Sequence, residues 1–392
     1  MNQHKKLIIA MLCAVLLLSA CASDKTPKPT VWGRFHEPVK PVELLPDTGI
    51  DEIDILWERN LPGDSLRRYA QLMPAFASDG VIAASPSGSV RKIDTASGRV
   101  EWTASLDSPI SFAVGVGGNI AVVGHVNGDI TALNAETGEI AWAIAVKYQI
   151  SAIPAVSEVA VVIRTSDGRI IGLDPNDGEQ RWILETERSG LTMQGDSQPT
   201  LAQDNMLIGL GNGKLLVGNS RTGRLGWEVD IGIIGGRNDI ERINDVDSPP
   251  VLSGTIAYAA AYHGYVKSIS LNSAETLWES RYSTRLPMAL DEKNLYVVSD
   301  LGELAALDTE TGNIAWRQAM FRGHGMSPPA VVDGRVVIGD SQGRLHSLDP
   351  LSGQLIDTRE LFSGAVLAIV GNGQSAAVYT SQNELALIDI RN

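Results

Sequence analysis

The chain has 392 residues, 44% hydrophobic and 20% charged, with 39 glycines and only 5% aromatics. That balance fits a folded body rich in tight turns and small side chains, and it favours strands over helices. A formal charge of −14 repels phosphate backbones, which takes nucleic acid out of the expected partners.

Residues 1–20 have the form of an export signal: Lys5 and Lys6, an apolar run over 7–18, then Ser19 and Ala20. The run is too short to span a bilayer comfortably. Leu18-Ser19-Ala20-Cys21 resembles a bacterial lipobox, in which the cysteine becomes the acylated first residue of the mature chain; the plainer alternative is an A-x-A cleavage site at Ala20-Cys21-Ala22. Acyl chains on Cys21 would hold the protein on a membrane without a spanning helix. Ala22 stands where an Asp would resemble an inner-membrane retention signal, so the outer membrane is the expected address. Cleavage removes Cys13, leaving no pair for a disulfide although the periplasm would permit one. It also removes Lys5 and Lys6, taking the formal charge from −14 to −16. Residues 21–50 carry Pro27, Pro29, Pro38, Pro41 and Pro46 with little apolar periodicity and read as a tether.

The body, 51–392, repeats one phrase: DTASGRVEW (94–102), NAETGEIAW (134–142), DTETGNIAW (308–316). Each copy opens on a glycine, at Gly88, Gly128, Gly168, Gly213, Gly264, Gly302 and Gly343, a period of about 40. Tryptophans follow at Trp102, Trp142, Trp182, Trp227, Trp278 and Trp316, and the seventh copy has Asp357 in that place. An eighth copy begins at Asn383 but lacks its Trp half, while IDILWERNL near the start of the body has a Trp half, Trp57, with nothing before it. If the N-terminal segment completes the last unit, the units close into a ring without open ends. Turn residues divide the seventh copy into strands at 330–332, 335–339, 344–348 and 354–358. Four strands per repeat of this length indicate a β-propeller blade, so the expected fold is all-β, an eight-bladed propeller of four-stranded antiparallel blades. Thr311-Gly312 suits the positive φ of a hairpin turn, and Asp308 can accept hydrogen bonds from the turn backbone. The tryptophans then read as blade-docking residues rather than a site. The pattern resembles the quinoprotein-type propeller repeat, which implies a fold more than a function.

The spacings between copies are 40, 40, 45, 51, 38, 41 and 40, so two steps are long. Their extra residues lie in GLTMQGDSQPT (190–200) and IGGRNDIERINDVDSPP (234–250), which open the fourth and fifth blades and are expected to be neighbours. Charges interleaved with Ile240, Ile243 and Val246 suit a protein partner. The alternatives are a solvated loop whose aspartates cap turns, or a cation site on Asp245 and Asp247, which lacks the glycine and final acidic ligand of an EF-hand loop.

The lipobox, the eightfold repeat, LTMQGDS (191–197) and RINDVDSPP (242–250) together resemble the BamB family of outer-membrane assembly lipoproteins. The resemblance implies a role in the β-barrel assembly (BAM) complex, with the two loops docking on the periplasmic POTRA domains of BamA and the ring sitting near unfolded outer-membrane protein substrates. The contact positions it implies are Leu191, Met193 and Gln194 in the first loop and Arg242, Asp245 and Asp247 in the second. The family often has arginine where this chain has Gln194, and a neutral amide makes weaker hydrogen bonds there.

The rival class is a pyrroloquinoline-quinone dehydrogenase, which resembles this chain in its blades. Those enzymes carry a vicinal cysteine pair over the cofactor, which a mature chain with one cysteine cannot form. The six histidines form no close-spaced metal motif, and GLGNGK (209–214) lacks P-loop spacing and falls at a hairpin. No nucleophile, base and orienter come together, so no catalytic residue, metal or cofactor is expected.

Overall fold

In a computed structural model, residues 52–63, 71–186, 196–232 and 245–391 are described. They form eight sheets, built of antiparallel strands but for one short parallel pairing, with no helix among the described residues. The seventh blade runs Ala330–Val332, Arg335–Gly339, Arg344–Leu348 and Leu355–Glu360. Its outermost strand therefore starts one residue later and ends two later than the turn residues suggest. The eighth blade is assembled from both ends of the body: Val366–Gly371, Ser375–Thr380 and Glu384–Ile390, then Ile53–Asn60. Ile53 faces Ile390 and Asn60 faces Glu384 across that last pair. The ring is closed.

One blade departs from the four-strand rule. The link from the eighth blade's outer strand to the first blade's inner strand runs along the second blade, where Gln71–Leu72 pairs in parallel with the strand Ile110–Gly117. Met73 N donates to Ala113 O at 2.7 Å and Val114 N to Met73 O at 2.9 Å. An inner strand of eight residues leaves backbone groups unpaired, and the link satisfies some of them.

The core lies between blades. Second strands such as Val161–Arg164 and Asn294–Val298 are buried at every residue, so they read as continuous apolar runs rather than alternating ones. Each hydrophobic cluster mixes successive blades, as Leu295 and Val297 of the sixth do with Tyr258 and Ala260 of the fifth.

The repeated phrase builds the seams. Asp308 Oδ1 accepts the N–H of Thr311 at 2.8 Å, which folds the turn, and Gly312 follows at φ +72°. The Asp308 carboxyl lies below the ordinary range because the Thr311 hydroxyl and amide donate to it. The indole of the preceding blade then lies on the glycine: a Cβ at Gly312 would stand 2.4 Å from the Trp278 ring, and Trp278 Nε1 donates to Thr309 O at 2.8 Å. The same pairing recurs as Trp57 on Gly98, Trp102 on Gly138, Trp142 on Gly178, Trp182 on Gly223 and Trp316 on Gly353, where a Cβ would come within 2.4–2.7 Å of the ring. In those pairs the indole N–H reaches Thr95, Ala135, Pro175, Ser220 and Pro350 carbonyls at 2.8–3.1 Å. Trp227 differs: it makes no such hydrogen bond among the described residues, and Ala274 occupies the place of the glycine. A real Cβ stands where the ring would lie.

At the seam between the seventh and eighth blades there is no turn to dock on, because the chain ends meet there. Asp357 stands in for the tryptophan. Its carboxylate, wholly buried, accepts the N–H groups of Glu52 at 3.0 Å and Ile53 at 3.2 Å, anchoring the first strand. Glu52 in turn meets Arg335 Nε at 2.7 Å, and Arg359 donates to Ile53 O at 2.6 Å.

Two outcomes are expected. Gly334→Ala has open space around its Cβ and carries only the left-handed cost of about 1 kcal/mol. Gly353→Ala has a similar φ but meets Trp316, and costs about 1–3 kcal/mol more in urea unfolding. Asp357→Leu strands the Glu52 and Ile53 amides and costs about 1–3 kcal/mol. Asp357→Asn keeps an acceptor and costs less, read as melting temperature and as proteolysis at Ile53–Asn60.

Candidate partner-docking face

The stems of the two long loops are described and they touch. Ser197 Oγ donates to Ser248 O at 3.3 Å, and Thr200 Oγ1 donates to Pro250 O at 2.7 Å. The second stem packs on the fourth blade: Val246 N donates to Leu210 O at 3.2 Å, and a Cβ on Gly209 would stand 2.1 Å from Val246 O. Only glycine lets the stem approach so closely.

Beneath the stems sits Arg164, buried at the end of a strand of the third blade. It ends the otherwise apolar run VAVVIR (159–164), a signal the motif pattern passes over. Its guanidinium donates to Ser197 O at 3.0 Å, Gly209 O at 2.6 Å and Asp196 Oδ1 at 2.9 Å. One side chain thus joins the third blade, the first stem and the fourth blade. Burial pulls Arg164 below the usual arginine range, opposed by the carboxylates of Asp196, Asp247 and Asp245.

Of the six contact positions implied by the sequence, Leu191, Met193, Gln194 and Arg242 lie outside the described residues, as does Cys21. Asp245 is fully buried, and its carbonyl accepts Tyr262 N at 2.9 Å, so it holds the stem from within. Asp247 is half-buried at the rim of a cavity of about 330 Å³. That cavity lies near the ring axis, with walls drawn from segments that open the third to eighth blades, including Gln198, Arg285, Leu286 and Leu367. Burial, then the Asp245 and Asp196 carboxylates, push Asp247 up to about 8 against the pull of Arg164 and Arg285.

The cavity's described lining contains no cysteine and no aromatic ring, so nothing in it would stack on a flat quinone. An acidic group elsewhere, Asp79, Asp94 and Glu101, is served by the buried Lys92, whose ammonium lies 3.0 Å from Asp79, Glu101 and Glu136 carboxylates. GLGNGK is a hairpin turn, with Gly213 N donating to Leu210 O at 3.1 Å. His324 is buried in a turn where its carbonyl accepts from Ser341.

Eight blades, with tryptophan on turn glycine at six of their eight seams, define a quinoprotein-type β-propeller. The family model described as "Outer membrane protein assembly factor BamB" matches residues 86–318. The chain belongs to the BamB family. The protein of that name from Legionella pneumophila is 40% identical over 82% of this chain and 84% of its own length. The one from Pseudomonas aeruginosa is 38% identical over 95% and 98%. The crystal structure of BamB from Moraxella catarrhalis superposes with a TM-score of 0.78 at 24% identity, covering 86% of this chain and 99% of that one. A europium-containing methanol dehydrogenase shares the fold at a TM-score of 0.68 and 12% identity, over 86% of this chain and 93% of its own.

Because the folded protein keeps a proton on Asp247 that the unfolded chain releases near pH 4, this group disfavours folding increasingly as pH rises from about 4 to about 8. Asp247→Asn is expected to melt above the parent at pH 8, with the gap closing by about pH 4, in paired thermal scans.

Proposed function

We propose that this chain is a non-enzymatic scaffold that assists assembly of outer-membrane proteins. It does so by docking on the POTRA domains of BamA within the BAM complex. Relatives at 38–40% identity bear the name of outer membrane protein assembly factor, which supports the general role. The observation that carries the docking surface is the pair of shared hydrogen bonds between the loop stems, since a partner engaging one loop meets the other. Leu191, Met193, Gln194, Arg242 and Asp247 touch the partner in this reading, while buried Asp245 acts by holding the stem. Acylated Cys21 keeps the ring at the outer membrane facing the periplasm, and residues 21–50 give it reach.

Unfolded substrate chains would meet the rim of the ring. Each outermost strand carries a bulge just before its tryptophan or Asp357, as between Val100 and Trp102. Bulges blunt edge strands, so recruitment by strand addition is confined to the short stretch beyond, such as Thr103 to Ser105 in the first blade.

Co-purification from membranes tests the surface. The well-folded double variant Leu191→Glu, Asp247→Lys is expected to lose most BamA recovery, and unchanged recovery would rule the surface out. Saturable binding of added quinone with calcium, together with dye reduction, would favour the dehydrogenase reading instead.

A further inference from the structure

Three of the features that form a seam are altered together in the turn of the fifth blade. The turn opener is Asp or Asn in the first four blades and the sixth and seventh; here it is Ser270, whose hydroxyl accepts Ser273 N at 3.3 Å, against 2.8 Å at Asp308. The residue whose carbonyl receives the indole is Thr, Ala, Pro or Ser elsewhere; here it is Leu271, packed with Trp227 against the same apolar cluster. The glycine is Ala274, at φ +61°. An alanine rarely adopts that backbone, and its methyl occupies the space the ring uses at the other tryptophan seams. Among the described residues Trp227 accordingly lacks the indole hydrogen bond that the other six make.

This seam joins the fourth and fifth blades, the two that the long loops open. The stems above it are held by the Ser197–Ser248 and Thr200–Pro250 hydrogen bonds and by packing of Val246 on Gly209. The inner end is therefore tied by hydrogen bonds, while the outer end is held by apolar packing alone.

We infer that the seam between the fourth and fifth blades is the compliant joint of the ring, and that its opening at the rim tunes the angle between the stems of the two loops. The compliance stands on the seam geometry alone; the link to docking rests on the reading proposed above. A tied inner end and a loose outer end let the blades splay about the stems. A partner gripping both loops then selects one angle, and the other seams stay locked.

Hydrogen exchange on the full mature chain tests the joint. Amides in Leu225–Asp230 and in the turn after Ser270 are expected to exchange about tenfold faster than their counterparts at the seam between the fifth and sixth blades. The variant Ala274→Gly, Leu271→Thr restores the lock, and should bring those rates to the level of the neighbouring seam. Uniform rates around the ring, or rates unmoved by the restoring variant, would overturn the inference. A purified POTRA fragment of BamA supplies the second arm: it should slow exchange at this seam, and its affinity should differ at least about threefold between parent and restored chain. Binding without either change overturns the link to docking but leaves the joint standing. Absence of binding to both chains removes the docking reading and the link with it, while the exchange rates still decide the joint.

Discussion

An indole lying on a glycine in the left-handed conformation is a contact that neither side can make with a substitute. The ring needs the space a Cβ would take, and the backbone needs a residue that accepts positive φ at no cost. Each such pair serves two ends at once, because the glycine belongs to the turn that finishes one blade while the indole belongs to the blade before. The carbonyl within the same turn receives the indole N–H, so burial of a large aromatic surface leaves no polar group unsatisfied. With no disulfide among the described residues, this contact and the apolar layers between blades hold the ring.

Closure follows the same logic by other means. Where the ring's ends meet there is no turn and no glycine, and a tryptophan would have nothing to lie on. A buried carboxylate replaces it and takes up two backbone N–H groups of the incoming strand. Geometry continues around the ring although the chain does not.

Much of this was legible in the amino-acid pattern because it repeats at short range. The leading glycines, the tryptophan positions, the count of eight and the completing strand at Trp57 all follow from aligning copies, and the nearness of the long loops follows from their opening successive blades. What escaped the pattern spans copies. Arg164 reaches partners 33 and 45 positions away, with nothing local to announce them. Trp227 looks like its counterparts within its own copy; its fault lies in Leu271 and Ala274 of the next. The parallel pairing of Gln71–Leu72 is two residues long and has no periodicity to read. Burial of Asp245 likewise depends on the neighbouring blade, against which its stem packs.

The shared eighth blade also dictates an order of events during synthesis. Ile53–Asn60 is among the first parts of the body to be made, yet its hydrogen-bonding partner, Glu384–Ile390, comes last; Arg391 and Asp54, which meet in the finished ring, are 337 positions apart. Until then the leading segment has an open edge. A chain cut short before Glu384 therefore leaves its first strand without a partner, however many of the intervening blades it contains.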